Sequence, residues 1–329
     1  MRPFSYSRVA DLSSAIAEAS VPGTSLLAGG TELVNWMKEG IAQPTRIVDI
    51  NALSELDYVE LDATELRIGA LARMSDVAAH PDVRREFPAL SVALEKSASQ
   101  QIRNMASMGG NLLQRTRCPY FRAEVELPCN KRTPGSGCAA RGGEDRWHAV
   151  LGGSEKCIAT HPSDAAVALS IFDAVVRVHD PKGARDVPIG ELYVLPGATP
   201  HVETVLEPGE VIVEIALRRS AMASRSHYLK VRERASYEFA LVSAAASVDT
   251  DGKIIRAAKI ALGGIAPKPW RLTGAEANLA GVALDDEAAM HGALAPDFEA
   301  ARPGRQNAFK IELAKRTAIR AVQVAGGVA

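Results

Sequence analysis

All four cysteines of this 329-residue chain fall between Cys118 and Cys157, at Cys118, Cys129, Cys138 and Cys157. The stretch is rich in Gly, Pro and Arg and shows neither helical nor strand periodicity from Thr116 to Trp147. It predicts a long loop whose order depends on what the thiols hold. Four converging thiolates are how a protein holds a metal ion or an iron–sulfur cluster. Structural zinc prefers short Cys-x-x-Cys knuckles, which are absent. Disulfides belong to oxidising compartments, and inert buried thiols seldom cluster in such a loop. Zinc, two disulfides and inert thiols stay open as readings. The wide spacing and the basic flank of Arg115, Arg117, Arg122, Lys131 and Arg132 favour a cluster, whose negative charge those side chains would offset and whose potential they would tune.

Two glycine pairs precede the loop. Residues 1 to 60 read as strand, helix, strand, helix, strand, and the strand at Thr24 to Ala28 runs directly into Gly29-Gly30-Thr31-Glu32-Leu33. Thr31 is predicted to cap a helix that stops at Gly40. Strand, glycine pair and capped helix would leave bare backbone N–H groups beside a positive helix end, a place that suits a diphosphate. A lone glycine pair is more often a tight turn, but a second follows at Ser107-Met-Gly-Gly-Asn-Leu112, and two such loops in one domain exceed what packing demands. The Gly-x-Gly-x-x-Gly fingerprint is absent, so a doubly wound dinucleotide fold is not indicated.

Between the pairs, a strand is expected at Leu66 to Leu71, a short helix capped near Ser75, and a helix from Ala89 to Ser99 entered by Pro88. After Cys157 comes His161-Pro-Ser-Asp164, where Ser163 or Asp164 would cap an apolar helix to Phe172. His161 next to proline reads more readily as a turn residue than as a ligand. Residues 174 to 220 are β-rich. A serine-rich passage at Ser220 to Ser226 marks a domain boundary, giving domains 1–224, with subdomains 1–60 and 61–224 and the Cys-rich loop at 114–157, and 225–329. The C-terminal third is α+β, with a hairpin at Asp251-Gly252 and a closing helix from Phe309 to Val324. The string Lys230 to Arg234 reads by default as a solvated strand edge; alternatively Lys230 is a fixed charge beside an electron-rich ring.

A net charge of −1 and 5% aromatic residues give no electrostatic or stacking case for nucleic acid or an anionic membrane surface. The N-terminus lacks the apolar core of a signal peptide, and no apolar run approaches the roughly twenty residues needed to span a bilayer. Hydrolytic motifs such as Gly-x-Ser-x-Gly, His-Glu-x-x-His and the P-loop are missing, so no catalytic residue is assigned to this chain.

Ala28-Gly-Gly-Thr-Glu-Leu33 and Gly109-Gly-Asn-Leu112 resemble the two diphosphate loops of the FAD-binding medium subunits of the xanthine dehydrogenase, or molybdenum hydroxylase, family. The likeness runs through the whole chain. Gln114-Arg-Thr-Arg-Cys-Pro-Tyr-Phe and Cys129-Asn-Lys-Arg-Thr-Pro-Gly-Ser-Gly-Cys138 are similar to the FAD and 4Fe-4S subunits of periplasmic aromatic aldehyde oxidoreductases.

The resemblance implies an α+β fold: a two-subdomain FAD-binding domain of the vanillyl-alcohol-oxidase (PCMH) type, then a small C-terminal domain of the CO-dehydrogenase-flavoprotein type. It implies that Leu27, Ala28, Gly29, Gly30, Thr31, Glu32, Leu33 and Val34 wrap the FAD diphosphate, with Ser107, Gly110 and Asn111 completing that site. Ser163 and Asp164 would reach the ribityl or adenosine portion and Lys230 the isoalloxazine, while the four cysteines ligate a 4Fe-4S cluster. Arg115-Thr-Arg-Cys118 replaces the acidic segment of simpler members, whose contacts there do not carry over. The implied function is electron transfer in a heterotrimer with a large molybdopterin subunit, which oxidises an aldehyde to a carboxylic acid, and a small 2Fe-2S subunit. FAD here would pass electrons to an external acceptor. The implied location is the periplasm, by co-export with a signal-bearing partner, or else the cytoplasm. Two alternatives accompany it: a flavin subunit of a molybdenum reductase of the 4-hydroxybenzoyl-CoA type, and a zinc-stapled assembly subunit without redox work.

Overall fold

The computed structural model describes residues 1–328. Its first layer is a small parallel sheet of β1 (Ser5–Arg8), β2 (Thr24–Leu27) and β3 (Arg46–Asp49) in the order β1-β3-β2. Parallel neighbours need crossovers, and the helices Leu12–Ala19 and Leu33–Lys38 provide them. Asp11 opens the first, its carboxylate accepting from the Ser14 N–H at 2.8 Å. Gly40 ends the second at φ +70°. The expected Thr31 cap is not formed: Glu32 holds the cap position and makes no side-chain cap bond. Its carboxylate is drawn instead to arginines of the cysteine loop.

The second sheet has five antiparallel strands, β4 (Val59–Leu61), β5 (Glu65–Gly69), β6 (Val175–Asp180), β7 (Gly183–Pro188) and β8 (Val211–Arg218), in the order β4-β5-β8-β6-β7. The apolar run of β8 suits its central place, with every residue from Val211 to Leu217 buried. Helices Met74–Ala79, Pro81–Glu86 and Pro88–Glu95 pack on one another and share one apolar core with this sheet. The predicted Ser75 cap is replaced by Arg73, which makes no side-chain bond there. The helix expected to reach Ser99 stops at Glu95, and Ala98 takes φ +46°.

The third sheet is antiparallel, β9 (Ser226–Val231), β10 (Val242–Asp251), β11 (Ile254–Gly263) and β12 (Trp270–Arg271), in the order β12-β11-β10-β9. The helix Phe309–Ala325 packs across β9 and β10. Between the second and third sheets lies the helix Asp164–Ile171, buried at all eight positions. It touches the Pro88–Glu95 helix on one side and β10 and β11 on the other. One apolar core therefore runs from Leu66 and Ile68 through Ala165–Leu169 to Ala245 and Ala261. The N-terminus of this wedge, Ser163-Asp164, is bonded to Asn111 on one side and to Tyr228 and Lys230 of β9 on the other.

Candidate cofactor site and cysteine loop

The glycine pairs are brought together by close backbone approach. A Cβ on Gly29 would lie 1.8 Å from the Met105 carbonyl oxygen, so only glycine lets the lead-in to the second pair pass. Gly30 takes φ +70°. Among the described residues, nothing accepts from the N–H groups of Gly29, Gly30 or Thr31, and the half-buried segment Leu27–Val34 carries them at the entry to the Leu33–Lys38 helix. Unpaired backbone donors on a side-chain-free turn fit an anionic diphosphate. Ser107 caps the short helix Met108–Leu112 through a 3.3 Å bond from the Gly110 N–H, so the second pair is a helical turn rather than an open loop.

Two residues that the sequence did not single out stitch the pairs together. Asn51 donates to the Ala28 carbonyl at 3.0 Å, while Arg73 donates to Met105 O at 2.6 Å and to Asn51 Oδ1 at 2.9 Å. Neither sits in a recognisable motif, and the one available signal was a polar residue directly after a predicted strand.

Asn111, Ser163, Asp164 and Lys230 join one buried network. The Ser163 hydroxyl donates to Asn111 Oδ1 at 2.6 Å and accepts from the Ala166 N–H at 3.0 Å. Asp164 accepts from Lys230 Nζ at 2.7 Å, from Ser97 at 2.9 Å and from the Tyr228 hydroxyl. Burial and the Asp164 charge push the Tyr228 phenol well above its usual pKa. Lys230 is therefore no solvated strand edge: its side chain is 1% exposed and its charge is matched by Asp164.

Two cavities flank the Asn111–Ser163 bond. One, of about 290 Å³, runs from Leu112 and Gln114 to Tyr193, His201 and Glu203. The other is lined by Arg117, Ser163, Asp164 and Phe239. His161 lines both. Its ring packs 4.3 Å from that of Tyr193, its Nε2 is enclosed without a partner, and burial pushes its pKa down to about 3. The ring is thus neutral, and its backbone, in an irregular segment without the expected turn, donates to Ala266 O at 3.0 Å.

The cysteine loop is ordered by side chains. Glu32, at the end of the first glycine pair, bonds Arg122 at 2.6 Å and Arg117 at 2.9 Å; Glu39 bonds Arg122 at 3.1 Å. Glu203 takes Lys131 at 2.8 Å and Arg115, and both cations outweigh burial in holding its carboxyl below the usual range. Arg132 donates to the carbonyls of Ala123 and Glu39. In this structure these charges staple the loop to carboxylates and carbonyls. Lys131 also acts on a thiol, lowering the pKa that burial raises at Cys157.

All four cysteines are free and line one small cavity with Phe121 and His148. Cys129 and Cys138 face each other across an isolated antiparallel bridge. Burial lifts the Cys118 thiol to about 12. Such thiols ionise only if a bound metal replaces their protons. No three His, Cys, Asp or Glu among the described residues are grouped as a single-ion site would need. His148 Nε2 lies 3.2 Å from Cys118 Sγ, and burial with the Lys310 charge pushes its pKa down to about 4.

Against known proteins, residues 2–218 match the model of the FAD binding domain in molybdopterin dehydrogenase, and residues 227–325 that of the CO dehydrogenase flavoprotein C-terminal domain. The chain belongs to this molybdopterin dehydrogenase flavoprotein family. It is 50% identical, over 96% of both chains, to the aldehyde oxidoreductase FAD-binding subunit PaoB of Escherichia coli. With the glyceraldehyde dehydrogenase medium chain of Sulfolobus acidocaldarius it shares 27% identity over 86% of this chain and 83% of that one. The fold superposes on a chain of carbon monoxide dehydrogenase from Hydrogenophaga pseudoflava with TM-score 0.75 and 25% identity, covering 100% and 99% of the two chains. The two-part architecture expected from the resemblance, an FAD-binding domain followed by the α+β C-terminal domain, is the one this family has. No helix among the described residues is long and apolar enough to cross a membrane.

Proposed function

We propose that this chain is the FAD- and 4Fe-4S-binding electron-transfer subunit of a heterotrimeric molybdenum aldehyde oxidoreductase. The observation that carries the proposal is the end-to-end 50% identity with the FAD-binding subunit of an aldehyde oxidoreductase. Large molybdenum-cofactor and small 2Fe-2S subunits would oxidise the aldehyde and relay its electrons here, and co-export with a signal-bearing partner would place the assembly in the periplasm. The boundary near residue 224 would separate the FAD-binding domain from the C-terminal one.

FAD and the cluster, when bound, supply the redox chemistry of electron transfer. The residues supply position and electrostatics. Within Leu27–Val34, the free N–H groups of Gly29, Gly30 and Thr31 would hold the diphosphate, helped by Ser107, Gly110 and Asn111. Ser163 orients the Asn111 amide, and Asp164 fixes the Lys230 ammonium at a defined place beside the cavity that Asp164 lines. Cys118, Cys129, Cys138 and Cys157 would ligate the cluster at the small cavity they line together. One fact supports the cluster: four free thiols, those of Cys129 and Cys157 buried and those of Cys118 and Cys138 half-buried, line one cavity. Five residues lie between Cys157 and Ser163, which bounds their separation at about 20 Å.

The test is anaerobic addition of benzaldehydes to the assembled complex, followed by absorbance of this chain's flavin. Bleaching is expected. Inertness to every benzaldehyde would favour the reductase of an aromatic thioester instead.

A further inference from the structure

The irregular end of the cysteine loop is gripped from the far end of the chain. Asp145, 2% exposed, accepts from the backbone N–H groups of Arg305 at 2.7 Å and Gln306 at 2.8 Å. Asn307, fully buried, donates to the carbonyls of Asp145 and His148. Lys310, also fully buried, donates to His148 O at 3.1 Å and Gly264 O at 2.7 Å, and forms no ion pair among the described residues. An ammonium satisfied only by carbonyls is a costly thing to bury, and a negative centre nearby offsets that cost. Two of these contacts, from Asn307 and Lys310, meet on the carbonyl of His148. Its ring, 2% exposed, lines the cavity of the four cysteines and puts Nε2 3.2 Å from Cys118 Sγ.

A metal-bound thiolate can only accept a hydrogen bond. The shared hydrogen then belongs to Nε2, which leaves Nδ1 as the acceptor nitrogen, the one enclosed without any partner. Among the described residues His148 is also the sole side chain bonded to a cysteine sulfur; Cys157 receives only the Ala159 N–H, at 3.4 Å.

We infer that His148 is a positioning residue that raises the reduction potential of the cluster by donating a hydrogen bond from Nε2 to the Cys118 sulfur. The inference rests on the reading of the four cysteines as cluster ligands. Donation draws charge from the sulfur and so favours the reduced cluster, which carries one more negative charge. The residues 305–310 act through His148: they hold the ring at the sulfur and touch no cysteine themselves. Without this rigid support a ring on an irregular loop would turn away from the sulfur.

The experiment is a redox titration of the assembled complex, with the cluster followed by EPR and the flavin by absorbance, on wild type, His148→Phe and His148→Gln. His148→Phe should keep its iron and sulfide and shift the cluster potential downward while the flavin potential stays in place. His148→Gln, which restores an N–H donor of similar reach, should recover part of the shift. An unmoved cluster potential in an iron-replete His148→Phe complex overturns the inference, and so does an equal shift in both variants. Should neither variant assemble, the wild-type complex grown with isotope-labelled histidine decides. Pulsed EPR of the reduced cluster should show a weak nitrogen coupling across the bond, and its absence overturns the inference. A wild-type complex lacking iron and sulfide removes the cluster reading and this inference together, which separates that failure from the others.

Discussion

The glycine pairs and the cysteine loop adjoin one another and are built in opposite ways. At the glycine pairs the backbone does the work: Gly29 lets the Met105 carbonyl pass, Gly30 turns at φ +70°, and the N–H groups of residues 29–31 are left free. In the cysteine loop the backbone has almost no regular structure, and Glu32, Glu39, Glu203, Asn307 and Lys310 fix it from outside. A backbone site tolerates loss of side chains and is ruined by an added Cβ. A side-chain-stapled loop has the opposite sensitivities. Glu32 is the hinge between the two, since it follows the first glycine pair and binds the arginines on either side of Cys118.

This contrast can be broken most severely at the loop. Cys138→Ser should lose essentially all of the cluster iron while FAD is largely kept; full iron retention measured by metal analysis would refute the ligand assignment. Next comes Gly29→Ala, whose methyl would meet backbone rather than a flexible side chain. It should destabilise the chain by about 3 kcal/mol or more and strip FAD while the loop keeps its iron. Calorimetry with flavin quantitation checks this, and normal FAD content in the variant would refute the backbone account. Glu32→Gln should cost less, about 1–2 kcal/mol, because Glu32 and Arg122 are mostly buried but Arg117 is 31% exposed. It should weaken retention of both cofactors, whereas loss of one alone would uncouple the two regions.

The smallest effect is a pH dependence. Burial, with Arg146 nearby, pushes Lys310 down to about 7 from an unfolded value of about 10.4. Between those values the unfolded chain binds more protons than the native one, so stability of the iron-free chain should rise with pH from about 7 to about 10. Loading the cluster should flatten that rise by favouring the charged amine, as urea melts across this range would show.

How far the sequence revealed these regions follows from how each is held. The glycine pairs, the wedge helix with its Ser163 cap and the β10–β11 hairpin at Gly252 were legible, because each is dictated by local chain chemistry. Boundaries that depend on tertiary contacts were less so. Thr31 reads as a cap, but Glu32 takes its place under the pull of Arg117 and Arg122, 85 and 90 residues on. The helix Glu287–Leu294, interrupted by His291 and Gly292, shows too weak an apolar stripe to be noticed. In the loop, the cysteines declared themselves by clustering, whereas His148 and Lys310 lie far apart in sequence and meet only in the fold. Lys230 looked like surface because its partner Asp164 sits on another element.

The central claim is that one chain carries both a flavin and a cluster. Its most direct test is iron, acid-labile sulfide, zinc and FAD analysis on the purified assembly, with the visible spectrum of this chain. About four irons and four sulfides with one FAD per chain are expected. A colourless chain containing zinc and no flavin would contradict the account and leave a stapled assembly subunit in its place.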